Sequence, residues 1–134
     1  MNKVIKVMMF VWRNNNGKKE FFVLHRKDGS NVVLTGHVGD IHFNESLEDA
    51  AKREIVEELG VEPISAIDLK HSSTVHLQYG NKLSTEHVFL IEIPNKDVHF
   101  LEQDQPHQWH SLDELSEVLT FPNQKGVISK IKKS

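Results

Sequence analysis

The sequence contains no cysteine and no apolar run long enough to cross a bilayer. Without cysteine it can form neither a disulfide nor a thiolate zinc site, and it has no cysteine nucleophile. Lys3, Lys6 and Arg13 interrupt the apolar residues near the start, so these cannot form a membrane-spanning helix of about 20 residues. No small-residue cleavage site follows them. These absences favour a cytoplasmic protein with no membrane partner.

An excess of positive charge is also missing. The formal net charge is −3, so the chain offers no broad basic field for nucleic acid, and no nucleic-acid partner is expected. Apolar residues make up 38% and charged residues 26%, which is typical of a folded globular protein rather than a disordered one. A length of 134 residues favours a single domain spanning residues 1–134.

Hydrophobic periodicity predicts an α+β (mixed α/β) fold with several strands and three helices. Strands are predicted at 4–12, 20–25, 64–69, 72–78 and 86–93, with short apolar segments at 32–34 and 98–101. Residues 35–44 have the composition of a loop. Helices are predicted at 46–59, 111–119 and 123–132. The first begins at the potential cap Ser46 and ends at Gly60, and the second begins with a capping box formed by Ser111 and Glu114.

Three carboxylates share one face of the first predicted helix. Glu54, Glu57 and Glu58 have the spacing i, i+3 and i+4, which makes them neighbours on the helix surface. Like charges at this spacing repel one another, and hard divalent cations such as Mg²⁺ or Mn²⁺ prefer carboxylate oxygens. An acidic surface helix could show the same three residues, so their spacing alone does not decide between the two interpretations.

The surrounding stretch resembles the Nudix box, in which a glycine is followed at fixed spacings by glutamates, an arginine, aliphatic residues and a second glycine. Nine constrained positions are met within 23 residues, which makes a chance match very improbable. They are Gly39, Glu45, Arg53, Glu54, Ile55, Glu57, Glu58, Gly60 and Val61.

The resemblance implies an α/β/α sandwich with a mixed sheet, in which the box forms a loop–helix–loop. It also implies hydrolysis of a nucleoside diphosphate linked to another moiety, with Mg²⁺ or Mn²⁺ as cofactor. By this resemblance Glu54, Glu57 and Glu58 are metal ligands together with the carbonyl of Gly39. Arg53 would hold carboxylates in place and Glu45 would brace the loop, and the family does not point to one unique general base.

Two parts of the chain depart from the family pattern. Strict spacing makes Gly39 the box glycine, whereas the local run Thr-Gly-His-Val makes it Gly36, so both assignments stay open. Near the C-terminal part, Glu102 is a candidate ligand or base, with Asp104 as the alternative. A role for Glu102 as an ordinary loop carboxylate is equally compatible with the sequence.

The substrate is specified only as a class. Similar relatives include dATP/dihydroneopterin triphosphate pyrophosphohydrolases and diadenosine tetraphosphate hydrolases, so a (d)NTP-like or dinucleoside polyphosphate substrate is expected. The alternative is a catalytically silent nucleotide-binding or sensor module, although such a module has no need to keep three repelling glutamates. Dimers are common among relatives, so a homodimer is one expected assembly. Nine histidines without a His-x-x-x-His pair argue against zinc, and Trp109 is expected in the core.

Overall fold

The computed structural model describes residues 2–38, 45–76, 82–101 and 105–134. Through these residues the elements follow in the order β1 Asn2–Asn15, β2 Lys18–His25, β3 Asn31–Val32, β4 Leu34–His37, α1 Leu47–Leu59, β5 Ser65–His76, β6 Lys82–Ile93, β7 His107–His110, α2 Leu112–Val118, α3 Pro122–Lys125 and α4 Ile128–Lys133. Among the helices of these ranges, none combines the length and the apolarity needed to cross a bilayer.

A mixed sheet forms the centre of the fold. Its strand order is β3-β2-β1-β6-β5, and two short strands join its inner members, β4 on β1 and β7 on β2. The central pair β1 and β6 is parallel, in register from Asn2 and Lys82 to Arg13 and Ile93, whereas the other pairs are antiparallel. The connection between the two parallel strands contains α1, as a parallel crossover requires.

Helices cover both faces of this sheet. Val7, Met9 and Val11 of β1 pack with α1 on one face, while Met8 and Phe10 pack with α2 and α4 on the other. Because both faces are buried, β1 is apolar at successive positions rather than only at alternate ones. The α/β/α sandwich with a mixed sheet is therefore confirmed.

The predicted helix at 46–59 is observed as α1. The Ser46 hydroxyl accepts a hydrogen bond from the Asp49 N–H at 3.0 Å, which caps the first turn. Gly60 ends the helix at φ 71°, a left-handed conformation that glycine adopts without steric cost. On the side facing the sheet, the fully buried apolar residues are Ala50, Ala51, Ile55 and Leu59.

The observed strands differ from the predicted ones at three places. Residues 35–37, expected in a loop, belong to β4 and pair with β1. Residues 98–101 form no strand, because the Leu101 N–H donates to the Glu58 carbonyl of α1 instead. Residues 107–110 form β7 by pairing with β2, and their polar sequence contains no strand pattern. In each case the hydrogen-bond partner is distant in the sequence.

Two further elements differ from those that the hydrophobic periodicity predicts. The strands expected at 64–69 and 72–78 are one strand, β5, with a register shift between Asp68 and Ser72, where Lys70 has φ 52°. The Lys70 N–H donates to the Asp68 carboxylate at 2.7 Å, which stabilises this local turn. The expected helix at 123–132 is divided into α3 and α4, because a turn occupies Gly126 and Val127.

Candidate functional site

The three glutamates of α1 lie in different environments. Glu54 and Glu58 are buried, with 8% and 6% of their surface exposed, whereas Glu57 is exposed. Carboxylates are rarely buried unless they are paired or bind a cation, so this helix differs from an ordinary acidic surface helix. Glu54 and Glu58 are buried because they lie on the same side of α1 as the buried residues Ile55 and Leu59.

Arg53 connects these carboxylates to the chain that precedes the helix. Its guanidinium donates two hydrogen bonds to Glu45, at 2.8 and 3.0 Å, in a bidentate pair. It also donates to Glu54 at 3.0 Å, to Glu57 at 3.2 Å and to the carbonyl of His37 at 3.3 Å. The hydrogen bonds to Glu45, and then the one to Glu54, raise the pKa of Arg53 above its already high value. Arg53 thus remains a cation at every relevant pH.

Gly36 of β4 lies directly against the side chain of Glu54. A Cβ atom added at Gly36 would overlap the Cγ, Cδ and Oε2 atoms of that glutamate. Only glycine therefore leaves room for this carboxylate. Three of the predicted site residues lie outside the described residues: Gly39, Glu102 and Asp104.

The donor set around Glu54 is made of hard oxygen atoms. The carboxylates of α1 and the backbone carbonyls at the end of β4 are the ligand types preferred by Mg²⁺ and Mn²⁺. Within the described residues no three such side chains already converge into a metal cage, since Glu54 and Glu57 are both directed toward Arg53. The hard oxygen donors of Glu54, Glu57 and Glu58 are the ligand chemistry that fits a divalent cation.

The segment between β6 and β7 is held against β7 by Asp97. One carboxylate oxygen of Asp97 accepts from the indole N–H of Trp109 at 2.9 Å and lies 2.8 Å from Nε2 of His107. Trp109 also lies under the guanidinium of Arg13, 3.9 Å from the ring centroid, and packs at the edge of the core. This segment continues to Leu101, which is bonded to α1 through the Glu58 carbonyl. Asp97 thereby fixes the chain that approaches the glutamate helix.

Asp97 gives a testable pH dependence. Hydrogen bonds from Trp109 and then His107 lower the pKa of Asp97 to about 2, from an ordinary 3.8. A lowered folded-state pKa gives a stability contribution that is present above pH 4 and is lost as the pH falls from about 4 to 2. We expect Asp97→Asn to be less stable than the wild type at pH 7, with this difference narrowing toward pH 2. Thermal unfolding from pH 7 to 2 measures it.

Asp113→Asn is the matched control, because the Asp113 side chain is 91% exposed and pairs only at the surface with Lys132, at 3.4 Å. Its difference from the wild type should be small at every pH. A constant difference for Asp97→Asn between pH 7 and 2 would show that the ionised carboxylate is not the stabilising form.

A cleft of about 440 Å³ lies beside this segment, between the end of β2 and Phe100. Its lining includes the cations Arg26 and Lys27, which follow β2 directly, and the carboxylate of Asp28. Phe100 and Leu101 are consecutive, so the cleft adjoins the end of α1 at Glu58. The basic pair at 26–27 was not recognised from the sequence, where it has no motif. Arg26 and Lys27 are recognised as cleft residues only because the fold places Phe100, from a distant segment of the chain, beside them.

The fold is shared with solved structures of low sequence identity. A Listeria monocytogenes protein assigned to the NUDIX hydrolases is 18% identical, with a TM-score of 0.80 over 96% of this chain and 92% of that one. An Ap4A hydrolase of C. elegans is 20% identical, with a TM-score of 0.74 and coverages of 97% and 96%. The E. coli dihydroneopterin triphosphate pyrophosphohydrolase is 16% identical, with a TM-score of 0.75 and coverages of 94% and 92%.

A comparison with curated proteins gives no match. The family model for the NUDIX domain, in contrast, matches residues 3–130, nearly the whole chain. This match and the shared fold confirm the resemblance that was inferred from the box residues. The chain therefore belongs to the NUDIX domain family and is a Nudix hydrolase, an enzyme that acts on phosphoanhydride bonds.

Proposed function

We propose that the protein is a cytoplasmic, single-domain, Mg²⁺- or Mn²⁺-dependent pyrophosphohydrolase that cleaves a nucleoside diphosphate linked to another moiety. The observation that carries this proposal is that Arg53 holds Glu54 and Glu57 by hydrogen bonds while Glu58 is buried on the same helix. Two of these carboxylates are buried and one is exposed, so the set presents negative charge at the surface from a rigid helix. Holding like charges together is unfavourable unless a cation binds them.

In this proposal Glu54, Glu57 and Glu58 hold the cation, together with a glycine carbonyl. Gly36 is our choice for that carbonyl because it lies against Glu54, and Gly39, which lies outside the described residues, stays the alternative. A bound divalent cation neutralises phosphate charge and lowers the pKa of an attacking water. Arg53 positions Glu54 and Glu57 through its two hydrogen bonds to them, and its bidentate pair with Glu45 keeps the guanidinium in place.

The proton of the attacking water requires a carboxylate acceptor near the cation. Glu57 and Glu58 are the proposed residues, and Glu102 is an additional candidate as ligand or base because it follows Leu101, whose N–H donates to Glu58. The positive charges of Arg26 and Lys27 are suited to substrate phosphates in the adjoining cleft. A (d)NTP-like or dinucleoside polyphosphate substrate matches this charge, as does the named activity of the similar Ap4A hydrolase.

A panel of nucleoside triphosphates, dinucleoside polyphosphates and nucleotide sugars tests the proposal. Each compound is incubated with the protein and Mg²⁺, and the products are identified by mass spectrometry in H₂¹⁸O to locate the phosphorus that is attacked. Parallel samples with EDTA should show no turnover. Binding of a nucleotide without hydrolysis under any metal condition would favour the alternative, a silent nucleotide-binding module. Size-exclusion chromatography with light scattering tests the proposed homodimer.

The contact between Gly36 and Glu54 predicts the effect of Gly36→Ala. The new methyl group displaces the Glu54 carboxylate, so we expect kcat/KM and Mg²⁺ affinity to fall by roughly a hundredfold and tenfold respectively. The cost in stability should be about 1–3 kcal/mol, since the overlap reaches the Cγ atom of a buried side chain. Kinetics with Mg²⁺ titration and urea unfolding measure the two effects.

Gly126→Ala is the matched control, because a Cβ at Gly126 meets its nearest atom at 3.4 Å, an ordinary contact, and φ there is −63°. It should keep wild-type activity. The variant Gly39→Ala tests the alternative assignment of the box glycine. A larger loss of Mg²⁺ affinity in Gly39→Ala than in Gly36→Ala would reverse our choice.

A further inference from the structure

A groove lies on the sheet face opposite to α1, beside the end of α4. Its inner part is a cavity of about 130 Å³ over β1, β2 and β6, and its outer part is a cleft of about 510 Å³ between β5 and α4. Ile67 and Ser134 line both parts, so the two are continuous. Among the described residues, none of those proposed for hydrolysis lines this groove, which we call the α4 groove.

The floor of the α4 groove is apolar. Ile67 has 49% of its surface exposed, although its register partner Leu90 is buried under the helices of that face. Trp12, at the other end of the floor, is only half-buried. The remaining apolar residues of the lining are Phe21, Leu69, Leu112 and Ile131. Covering Ile67 and Trp12 with another apolar group would remove this surface from water, which is favourable.

Lysines surround this apolar floor. Four of them line the groove: Lys19, Lys70, Lys130 and Lys133. In the described part of the chain none of their ammonium groups has an ion pair. Asp68 is the one carboxylate in the described lining, and it already accepts the backbone N–H of Lys70 at 2.7 Å. The groove is therefore locally basic on a chain whose net charge is −3, and it attracts anionic groups.

The shape of the groove selects a peptide among anionic partners. Insertion into a membrane surface requires apolar side chains that protrude, whereas Phe21 and Leu90 lie at the bottom of the cavity, 2% and 7% exposed. Single-stranded nucleic acid stacks its bases on open aromatic faces. The Trp12 ring is instead covered by the ammonium of Lys19, 4.6 Å from its centroid. A peptide can place one bulky apolar side chain in the cavity while its neighbouring carboxylates reach the lysines.

We propose that the α4 groove is a docking site for a short acidic segment of a partner protein, in which acidic residues flank a leucine or an aromatic residue. The apolar side chain covers Ile67 and enters the cavity beside Trp12. The flanking carboxylates pair with Lys130 and Lys133, which are neighbours on α4 at i and i+3, and with Lys70 on β5. Because the groove and the α1 glutamates lie on opposite faces of the sheet, the segment and a substrate can be bound at the same time.

Fluorescence polarisation with a defined peptide library tests the proposal. Each labelled hexapeptide has two Asp or Glu residues on either side of a central pair that contains Leu, Phe or Trp. One control set replaces the central pair by serine, and a second keeps the central pair but has lysine flanks. We expect the best acidic apolar peptide to bind at least tenfold more tightly than either of its counterparts, because both the anchor and the charges contribute. Its affinity should fall as the salt concentration rises.

Charge reversal locates the binding site. The double variant Lys130→Glu, Lys133→Glu changes two exposed side chains of the groove, so it should weaken the best peptide at least tenfold and leave hydrolysis unchanged. The matched control is Lys125→Glu, Lys132→Glu, which makes the same change of charge at exposed positions outside the groove and should bind like the wild type. Ile67→Ser retains the lysines and should weaken binding several-fold.

The same samples distinguish other occupants. Absence of binding by every library peptide, equal affinities for the three peptide sets, or an equal loss in the two double variants would overturn the proposal. Binding to phosphatidylcholine–phosphatidylglycerol vesicles in place of the peptides would assign the groove to a membrane surface. A dimer that Lys130→Glu, Lys133→Glu dissociates in light scattering, again without peptide binding, would assign it to a second copy of this chain.

Discussion

Glu57→Gln is expected to lower kcat by about a thousandfold or more while the fold remains intact. The substitution keeps the shape of the side chain and removes one of the three charges proposed to hold the cation, so both metal binding and water activation should suffer. Of the three glutamates, Glu57 best separates an effect on catalysis from an effect on stability. Its side chain is 48% exposed, and its ion pair with Arg53 spans i and i+4. Loss of such an exposed pair changes the unfolding free energy by only about 0.5 kcal/mol. Steady-state kinetics at several Mg²⁺ concentrations measure the effect.

The same helix provides a closely matched control. Glu48 has a side-chain exposure of 49% and forms an i, i+4 ion pair with Lys52 at 3.4 Å. Glu48→Gln therefore removes the same charge from a similar environment, away from the proposed cation. Its activity should remain within about twofold of the wild type. If Glu57→Gln and Glu48→Gln have equal activities, the assignment of Glu57 to the catalytic machinery is wrong.

Arg53→Ala is expected to lower both activity and stability. The Arg53 side chain is 18% exposed, and the carboxylates of Glu45 and Glu54 that it contacts are 12% and 11% exposed. Removing the cation leaves negative charge in a partly desolvated cluster, which should cost about 2–3 kcal/mol of unfolding free energy. Because Arg53 also positions Glu54 and Glu57, kcat/KM should fall by at least a hundredfold. Urea unfolding and steady-state kinetics give the two quantities.

Two variants separate charge from geometry at this position. Arg53→Lys keeps the positive charge but cannot reproduce the bidentate pair with Glu45, so it should recover part of the stability and little of the activity. Lys52→Ala removes the neighbouring cation, whose only described ion pair is at the surface with Glu48, and should cost less than about 0.5 kcal/mol. An Arg53→Ala protein as stable as Lys52→Ala would contradict a central role for Arg53 in the cluster.

Local signals explain why α1 could be predicted from the sequence. Its cap at Ser46, its buried stripe and its end at Gly60 depend on residues within one or two helical turns. The β4 strand could not be predicted in this way, because Thr35 and Gly36 become a strand only by pairing with Met8 and Val7, almost 30 residues earlier. Short polar strands such as β7 have the same dependence on a distant partner.

The sequence by itself determined the family, the glutamate helix and the order of most elements, because these depend on the types and spacing of nearby residues. Only the tertiary structure shows that Gly36 lies against Glu54, since that contact requires β4 to pair with β1 beneath α1. It also decided which residues line the α4 groove, since Ile67 and Lys130 are distant in the sequence. Burial and hydrogen bonding between distant segments are properties of packing, and a linear pattern contains them only indirectly.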